Sequence, residues 1–114
     1  MPSPNEITPA QLSRLIGTPA APTLVDLRID GDFEDDPRLI PGAFRHPHTD
    51  IAGLKERLGG RACVVICQRG IKLSQGMVAR LRSDGIAAEY LSGGNYGWRA
   101  HAQMMRIPAA AVPE

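Results

Sequence analysis

The segment around Cys67 carries the residues best suited to chemistry. Cys67 ends the apolar run of residues 62–67 and precedes a short loop that contains Arg69, Gly70 and Lys72. Loop amides, the N-terminal end of the helix predicted to follow and the two cations would all stabilise a thiolate. Gly70 allows a positive φ and would keep the loop mouth open to a small anion. We therefore expect Cys67 to act as a nucleophile at neutral pH.

Cys63 is the other of the two cysteines, and it lies inside the same apolar run. We expect it to be an unreactive core residue, since packing is the usual role of a cysteine on a buried strand. A disulfide along one strand is excluded, because the two α-carbons would be about 13 Å apart and bridged α-carbons lie within about 7 Å. Free thiols indicate a reducing compartment, which predicts a cytoplasmic protein.

The rest of the sequence predicts the elements that must position Cys67. Helices are expected from the Thr8 cap to Gly17, from the Asp50 cap to residue 58, from residue 73 to Gly85, and over residues 96–105. Strands are expected at residues 23–27, 61–66 and 86–91, with a short extended piece at 44–47. We interpret the acidic residues 30–36 as a linker.

Strands that alternate with helices predict an α/β fold with a mainly parallel sheet. Residues 61–66 show no polar alternation, which is typical of a central strand covered on both faces. Ligands bind such sheets at the carboxyl ends of the strands, and Cys67 falls at one of these ends.

Composition and charge limit the class of protein. The 114 residues fit a single domain, predicted to span residues 1–107 with an Ala/Pro-rich tail at 108–114. The 13 basic and 12 acidic residues give a formal net charge of +1 and are scattered along the chain, which argues against nucleic-acid and membrane partners. No apolar run approaches the roughly 20 residues of a membrane span, and residues 1–8 carry no signal-peptide pattern. We therefore expect a soluble protein.

The three histidines do not form a metal-ligand pattern. His46 and His48 flank Pro47 without further ligands at suitable spacing, and His101 lies on the last predicted helix. We therefore expect no metal site.

Four motifs resemble those of the single-domain rhodanese-like sulfurtransferases. They are Leu-Val-Asp-Leu-Arg at 24–28, Ile-Pro-Gly-Ala at 40–43, Val-Val-Ile-Cys-Gln-Arg-Gly at 64–70, and Leu-Ser-Gly-Gly at 91–94 followed by Trp98. They resemble the family's Asp-x-Arg strand end, its His-Ile-Pro-Gly-Ala turn, its Cys-x-x-Gly loop and its Leu-x-Gly-Gly-x-x-x-Trp closing segment. Each motif is weak alone, but all four in order make a specific resemblance over most of the chain.

The resemblance implies a rhodanese-like fold, a five-stranded, mainly parallel sheet flanked by helices on both faces. It implies that Cys67 takes a sulfur from thiosulfate or a related donor as a persulfide and passes it to a thiol or cyanide, without a cofactor. The residues expected to bind substrate are Gln68, Arg69, Gly70, Ile71, Lys72 and Leu73. Asp26 and Arg28 match structural positions of the family and are expected to support the site.

The sequence departs from the family pattern at the end of the loop. Lys72 and Leu73 stand where Arg followed by Ser or Thr is common, and a lysine is a point charge that cannot grip an oxyanion bidentately. The identity of the donor therefore stays open. Residues 67–74 also resemble the loop of rhodanese-like modules that accompany chromate-resistance systems.

Two other functions compete with sulfur transfer. Dual-specificity cell-cycle phosphatases share this fold and place an arginine six residues after the cysteine, but Leu73 occupies that position here, which disfavours phosphatase or arsenate reductase activity. The other alternative is a non-catalytic or redox-sensing module in which Cys67 is only an oxidisable thiol.

Overall fold

The structure is a computed structural model, and it describes residues 5–105. The predicted tail at 108–114 lies outside the described residues. The strands are Glu6–Ile7 (β1), Thr23–Asp26 (β2), Phe44–Arg45 (β3), Cys63–Ile66 (β4) and Ala88–Leu91 (β5). The helices are Pro9–Leu15 (α1), Asp30–Asp35 (α2), Ile51–Leu58 (α3), Lys72–Ser83 (α4) and Gly94–Met105 (α5).

The five strands form one sheet in the order β1-β5-β4-β2-β3. All neighbouring strands run parallel, which confirms the predicted five-stranded parallel sheet. In the register of β2 and β4, Asp26 lies beside Ile66. The segments that follow these two strands, including Cys67, therefore leave the sheet side by side at its carboxyl edge.

The central strand β4 separates two apolar clusters. Cys63 and Val65 pack with side chains of α3 and α4 on one face, whereas Val64 and Ile66 pack with α1 and α5 on the other. Every residue of β4 is at most 2% exposed. Helices thus cover both faces of the sheet, as the unbroken apolar run predicts.

The starts of α1 and α3 follow from their capping residues. Thr8 Oγ1 accepts the Gln11 N–H at 3.1 Å while Gln11 Oε1 accepts the Thr8 N–H at 2.9 Å, so the predicted capping box is present. The Asp50 carboxylate accepts the Gly53 N–H at 3.0 Å and caps α3, which ends where Gly59 takes a φ of 57°.

The interpretation of residues 30–36 as a linker is wrong, because residues 30–35 form the helix α2. Phe33 anchors this helix, since its ring lies 5.0 Å from the guanidinium carbon of Arg28 and 4.2 Å from that of Arg45. Sequence reasoning also missed the two-residue strand β1, which pairs with β5. Among the residues the structure describes, no helix has the length and apolar character to cross a membrane.

Candidate active site

The Cys67 thiol sits at the carboxyl end of β4, as the first residue after the strand. It is 6% exposed and lines an open cleft. Its Sγ accepts a hydrogen bond from the Gly70 N–H at 3.0 Å and lies 3.2 Å from Ser74 Oγ on α4. The sulfur therefore lies between a backbone amide of its own loop and a hydroxyl of α4.

Gly70 is required by a close backbone approach. Its φ is +70°, as expected, but a Cβ there would lie 2.5 Å from Leu91 O and 2.8 Å from Gly94 N. The sequence predicts a need for glycine at position 70 because of an open loop mouth, and this reason is wrong. The missing side chain lets the Cys67 loop pack on the turn after β5, where the Leu-Ser-Gly-Gly motif lies.

The first turn of α5 binds the carbonyl oxygens of the Cys67 loop. The Asn95 N–H donates to Cys67 O at 2.8 Å, and the Tyr96 N–H donates to Gln68 O at 3.2 Å. Both amides belong to a helix start, where N–H groups lack partners within the helix. Their bonds hold these two carbonyl oxygens on the α5 side of the loop and fix its path.

The cleft over Cys67 has a volume of about 580 Å³. It is lined by Asp32, Asp35, Cys67, Gln68, Arg69, Ile71, Lys72, Leu73 and Tyr96. Five of the six predicted substrate-binding residues are in this lining. The sixth, Gly70, contacts Sγ through its backbone N–H instead.

Asp32 and Asp35 are the residues of the cleft that sequence reasoning missed. They come from α2, whose six residues were interpreted as a linker. A helical interpretation would have found them, because residues three apart share one helix face. The cleft therefore carries carboxylates opposite in sign to the two predicted cations, Arg69 and Lys72.

Asp26 and Arg28 lie outside the lining of the Cys67 cleft and form a buried pair. The Arg28 guanidinium donates to both carboxylate oxygens of Asp26 at 2.7 to 3.1 Å. It also donates to Asp36 O at 2.9 Å and to Arg38 O at 2.8 Å. Arg28 thereby holds residues 36–38, the segment that leaves α2.

Asp36 links that segment to α5. Its carboxylate accepts hydrogen bonds from Arg38 Nε at 2.7 Å and Asn95 Nδ2 at 3.2 Å, and it lies 3.3 Å from Arg99 Nε. Burial raises the pKa of Asp36, but these hydrogen bonds and the charges of Arg99 and Arg38 outweigh it and hold the pKa below its ordinary value. Asp36 is therefore stabilised as an anion.

Cys63 is 2% exposed at the start of β4, and burial raises the pKa of its thiol to about 11. Both cysteines are free thiols. A buried thiol that stays protonated at neutral pH is a poor nucleophile, so Cys63 is not a candidate for the reacting cysteine. Cys67, by contrast, lines the cleft.

A second cleft, of about 370 Å³, lies beside the ends of β2 and β3. Its lining residues are Arg28, Ile29, Asp30, Arg45, His46, Pro47, His48 and Thr49. His46 Nδ1 lies 3.2 Å from Arg57 Nη1 and Nε2 lies 2.9 Å from Asp50 O, so both ring nitrogens already have partners. In residues 5–105, no group of three or more His, Cys, Asp or Glu side chains is placed to hold a metal ion.

Solved structures similar to this one include rhodanese-like domain proteins. A rhodanese-like domain protein from Staphylococcus aureus is 25% identical with a TM-score of 0.71, and the match covers 82% of this chain and 90% of that one. A thiosulfate sulfurtransferase from Pseudomonas aeruginosa is 25% identical with a TM-score of 0.71, over 94% of this chain and 19% of that one. A Rhodopseudomonas palustris protein described as a possible tyrosine phosphatase is 20% identical with a TM-score of 0.74, over 86% of this chain and 81% of that one.

The chain has a rhodanese-like fold. This fold supports a sulfurtransferase or a related enzyme. No protein-family model matches the sequence, and no curated protein matches it. The resemblance to modules that accompany chromate resistance stays a prediction.

Proposed function

We propose that this protein is a sulfurtransferase that moves a sulfane sulfur from thiosulfate or a related donor to a thiophilic acceptor through a persulfide on Cys67. The observation that carries the proposal is the Cys67 Sγ in the cleft, 3.0 Å from the Gly70 amide and 3.2 Å from the Ser74 hydroxyl. An amide and a hydroxyl this close to one sulfur suit a cysteine nucleophile, because both groups can donate to the anionic sulfur that attacks the substrate.

The first step loads the cysteine. The Cys67 thiolate attacks the outer sulfur of thiosulfate, a bond forms between the two sulfurs, and the sulfur–sulfur bond of thiosulfate breaks. Sulfite leaves with the electron pair. Arg69 and Lys72, both exposed at the cleft, supply positive charge for the arriving and departing anions.

The second step removes the outer sulfur from the Cys67 persulfide. A thiolate acceptor attacks the outer sulfur of the persulfide, the bond from that sulfur to Sγ breaks, and the electron pair returns to Cys67 as a thiolate. The product is the acceptor's persulfide, or thiocyanate when cyanide is the acceptor. The two steps balance without an added oxidant or reductant.

Phosphate chemistry is disfavoured by the residue at position 73. Leu73 lines the cleft where a phosphatase of this fold would place a guanidinium, and Lys72 cannot form a planar fork on a phosphoryl group. We expect no Cys67-dependent hydrolysis of an aryl phosphate.

A mass spectrum of the intact protein after incubation with thiosulfate tests the proposal. We expect one added sulfur in the wild type and in Cys63→Ser, none in Cys67→Ser, and loss of that sulfur when cyanide is added. Loading without transfer to any acceptor would favour a redox-sensing module instead. Hydrolysis of an aryl phosphate that disappears in Cys67→Ser would promote a phosphatase.

A further inference from the structure

Two carboxylates of α2 line the Cys67 cleft without partners of their own. Asp32 is half-buried and Asp35 is exposed, and neither side-chain carboxylate forms an ion pair or hydrogen bond in the described part of the chain. Asp30 on the same helix differs, because it pairs with Arg45 at 3.1 Å and lines the second cleft. Asp32 and Asp35 are thus free to meet a ligand.

Gln68 provides a second, independent sign of a ligand in this cleft. It is 8% exposed and lines the cleft, and its Nε2 donates to the Tyr96 hydroxyl at 3.2 Å. Its Oε1 is enclosed and has no hydrogen-bond partner among the described residues. A buried acceptor without a donor is costly. When the Gln68 side chain turns its amide toward the cleft, an N–H group of a ligand would satisfy this oxygen.

The charges of the cleft suit a molecule with separated charges. Arg69 and Lys72 form no ion pair with either carboxylate of α2 in residues 5–105, so all four groups face the cleft as separate charges that sum to zero. A dianion such as thiosulfate is attracted by one pair and repelled by the other. A ligand with an ammonium group is attracted by the two carboxylates, whereas a dianion is repelled by them.

We propose that the sulfur acceptor is a small aminothiol, and that Asp32 and Asp35 bind its ammonium group beside the Cys67 persulfide. The inference rests on the proposed function, since it names the thiol that unloads the enzyme. The acceptor thiolate forms a bond to the outer sulfur, the bond from that sulfur to Sγ breaks, and Cys67 returns as a thiolate. The ammonium group keeps its protons throughout and only orients the thiol.

Single-turnover kinetics on the loaded enzyme test the inference. The protein is loaded with thiosulfate, and the second-order rate constant for loss of the added sulfur is measured with cysteamine and with 3-mercaptopropionate. The quantity compared is the ratio of the two constants, so that the intrinsic reactivity of each thiol cancels between protein variants. We expect the double variant Asp32→Asn/Asp35→Asn to lower this ratio by about tenfold, as for the loss of two partly exposed charge contacts.

Asp30→Asn is the matched control, because it removes a carboxylate from the same helix but outside the cleft, and its ratio should equal that of the wild type. The double variant should also load faster with thiosulfate, since two repelling charges are gone. An unchanged ratio in a double variant that still loads overturns the inference and leaves the proposed function standing. Failure of the wild type to load overturns both.

Discussion

The backbone N–H of Asn95 donates a hydrogen bond of 2.8 Å to the carbonyl oxygen of Cys67. The side chain of the same asparagine donates to Asp36 Oδ2 at 3.2 Å. Asp36 therefore reaches the Cys67 loop through one intervening residue, although it does not line the cleft. Its role is to position the start of α5, on which the loop rests.

Replacing Asp36 tests this connection. Asp36→Asn keeps the shape but loses the charge, and we expect the free energy of unfolding to fall by about 1 to 2 kcal/mol, since its arginine partners are half exposed. The folded-state pKa of Asp36 is lowered, so its stabilisation is present above the ordinary value of 3.8 and is lost as pH falls through the folded-state pKa. Urea unfolding across this range measures the effect. A stability gap between wild type and variant that persists at the acid end would contradict it.

The glycine at the turn of the Cys67 loop should tolerate no side chain. In Gly70→Ala the new Cβ would lie 2.5 Å from Leu91 O, in a backbone with a φ of +70°. We therefore expect the free energy of unfolding to fall by more than about 1 kcal/mol. We also expect the variant to lose sulfur transfer. Gly76→Ala is the control, because Gly76 lies within α4 with nothing within 4 Å of a Cβ. That variant should gain up to about 1 kcal/mol. Equal stability of the two variants would refute the close approach.

Cys63 should make the fold sensitive to alkali. The pKa of its thiol is about 11 in the folded state against an ordinary 9.0, so between these values the unfolded chain loses a proton that the folded chain keeps. The free energy of unfolding therefore falls as pH rises through this range, by up to about 3 kcal/mol. Cys63→Ala lacks this contribution, and its unfolding curves should show a shallower fall with pH. Parallel pH profiles for the two proteins would show that the thiol does not titrate as stated.

Arg28 should not be replaceable by lysine. Its guanidinium bonds to Asp26 and to two backbone carbonyls at once, and an ammonium group cannot reach all of them. We expect Arg28→Lys to lower the free energy of unfolding by about 2 to 4 kcal/mol. Arg38→Lys, at a side chain that is 49% exposed, should cost less than about 1 kcal/mol. Chemical denaturation of both variants measures these changes. Similar falls in the free energy of unfolding would contradict the requirement for a guanidinium at position 28.

Local signals were sufficient for the elements around Cys67. The apolar run before it predicts β4, the spacing of Met77, Val78 and Leu81 predicts α4, and the Thr8 box predicts α1. Each pattern arises within a few consecutive residues. The predicted parallel sheet follows from the order of these patterns.

The parts that were missed depend on residues distant in sequence. α2 has four acidic residues and a glycine among its six, a poor composition for a helix, and Phe33 is anchored by arginines of other segments. Without that helix, the positions of Asp32 and Asp35 in the cleft could not be predicted. The need for Gly70 likewise comes from contact with the turn after β5.

The two-residue strand β1 covers the edge of the sheet beside β5. The Tyr90 N–H donates to Asn5 O and the Ser92 N–H donates to Ile7 O, each at 2.8 Å. A chain trimmed past Ile7 would leave the amides of Tyr90 in β5 and of Ser92 just after it unpaired on an exposed sheet edge, where a strand of another molecule could pair with them. Trimming that spares every residue of the Cys67 cleft would thus promote self-association.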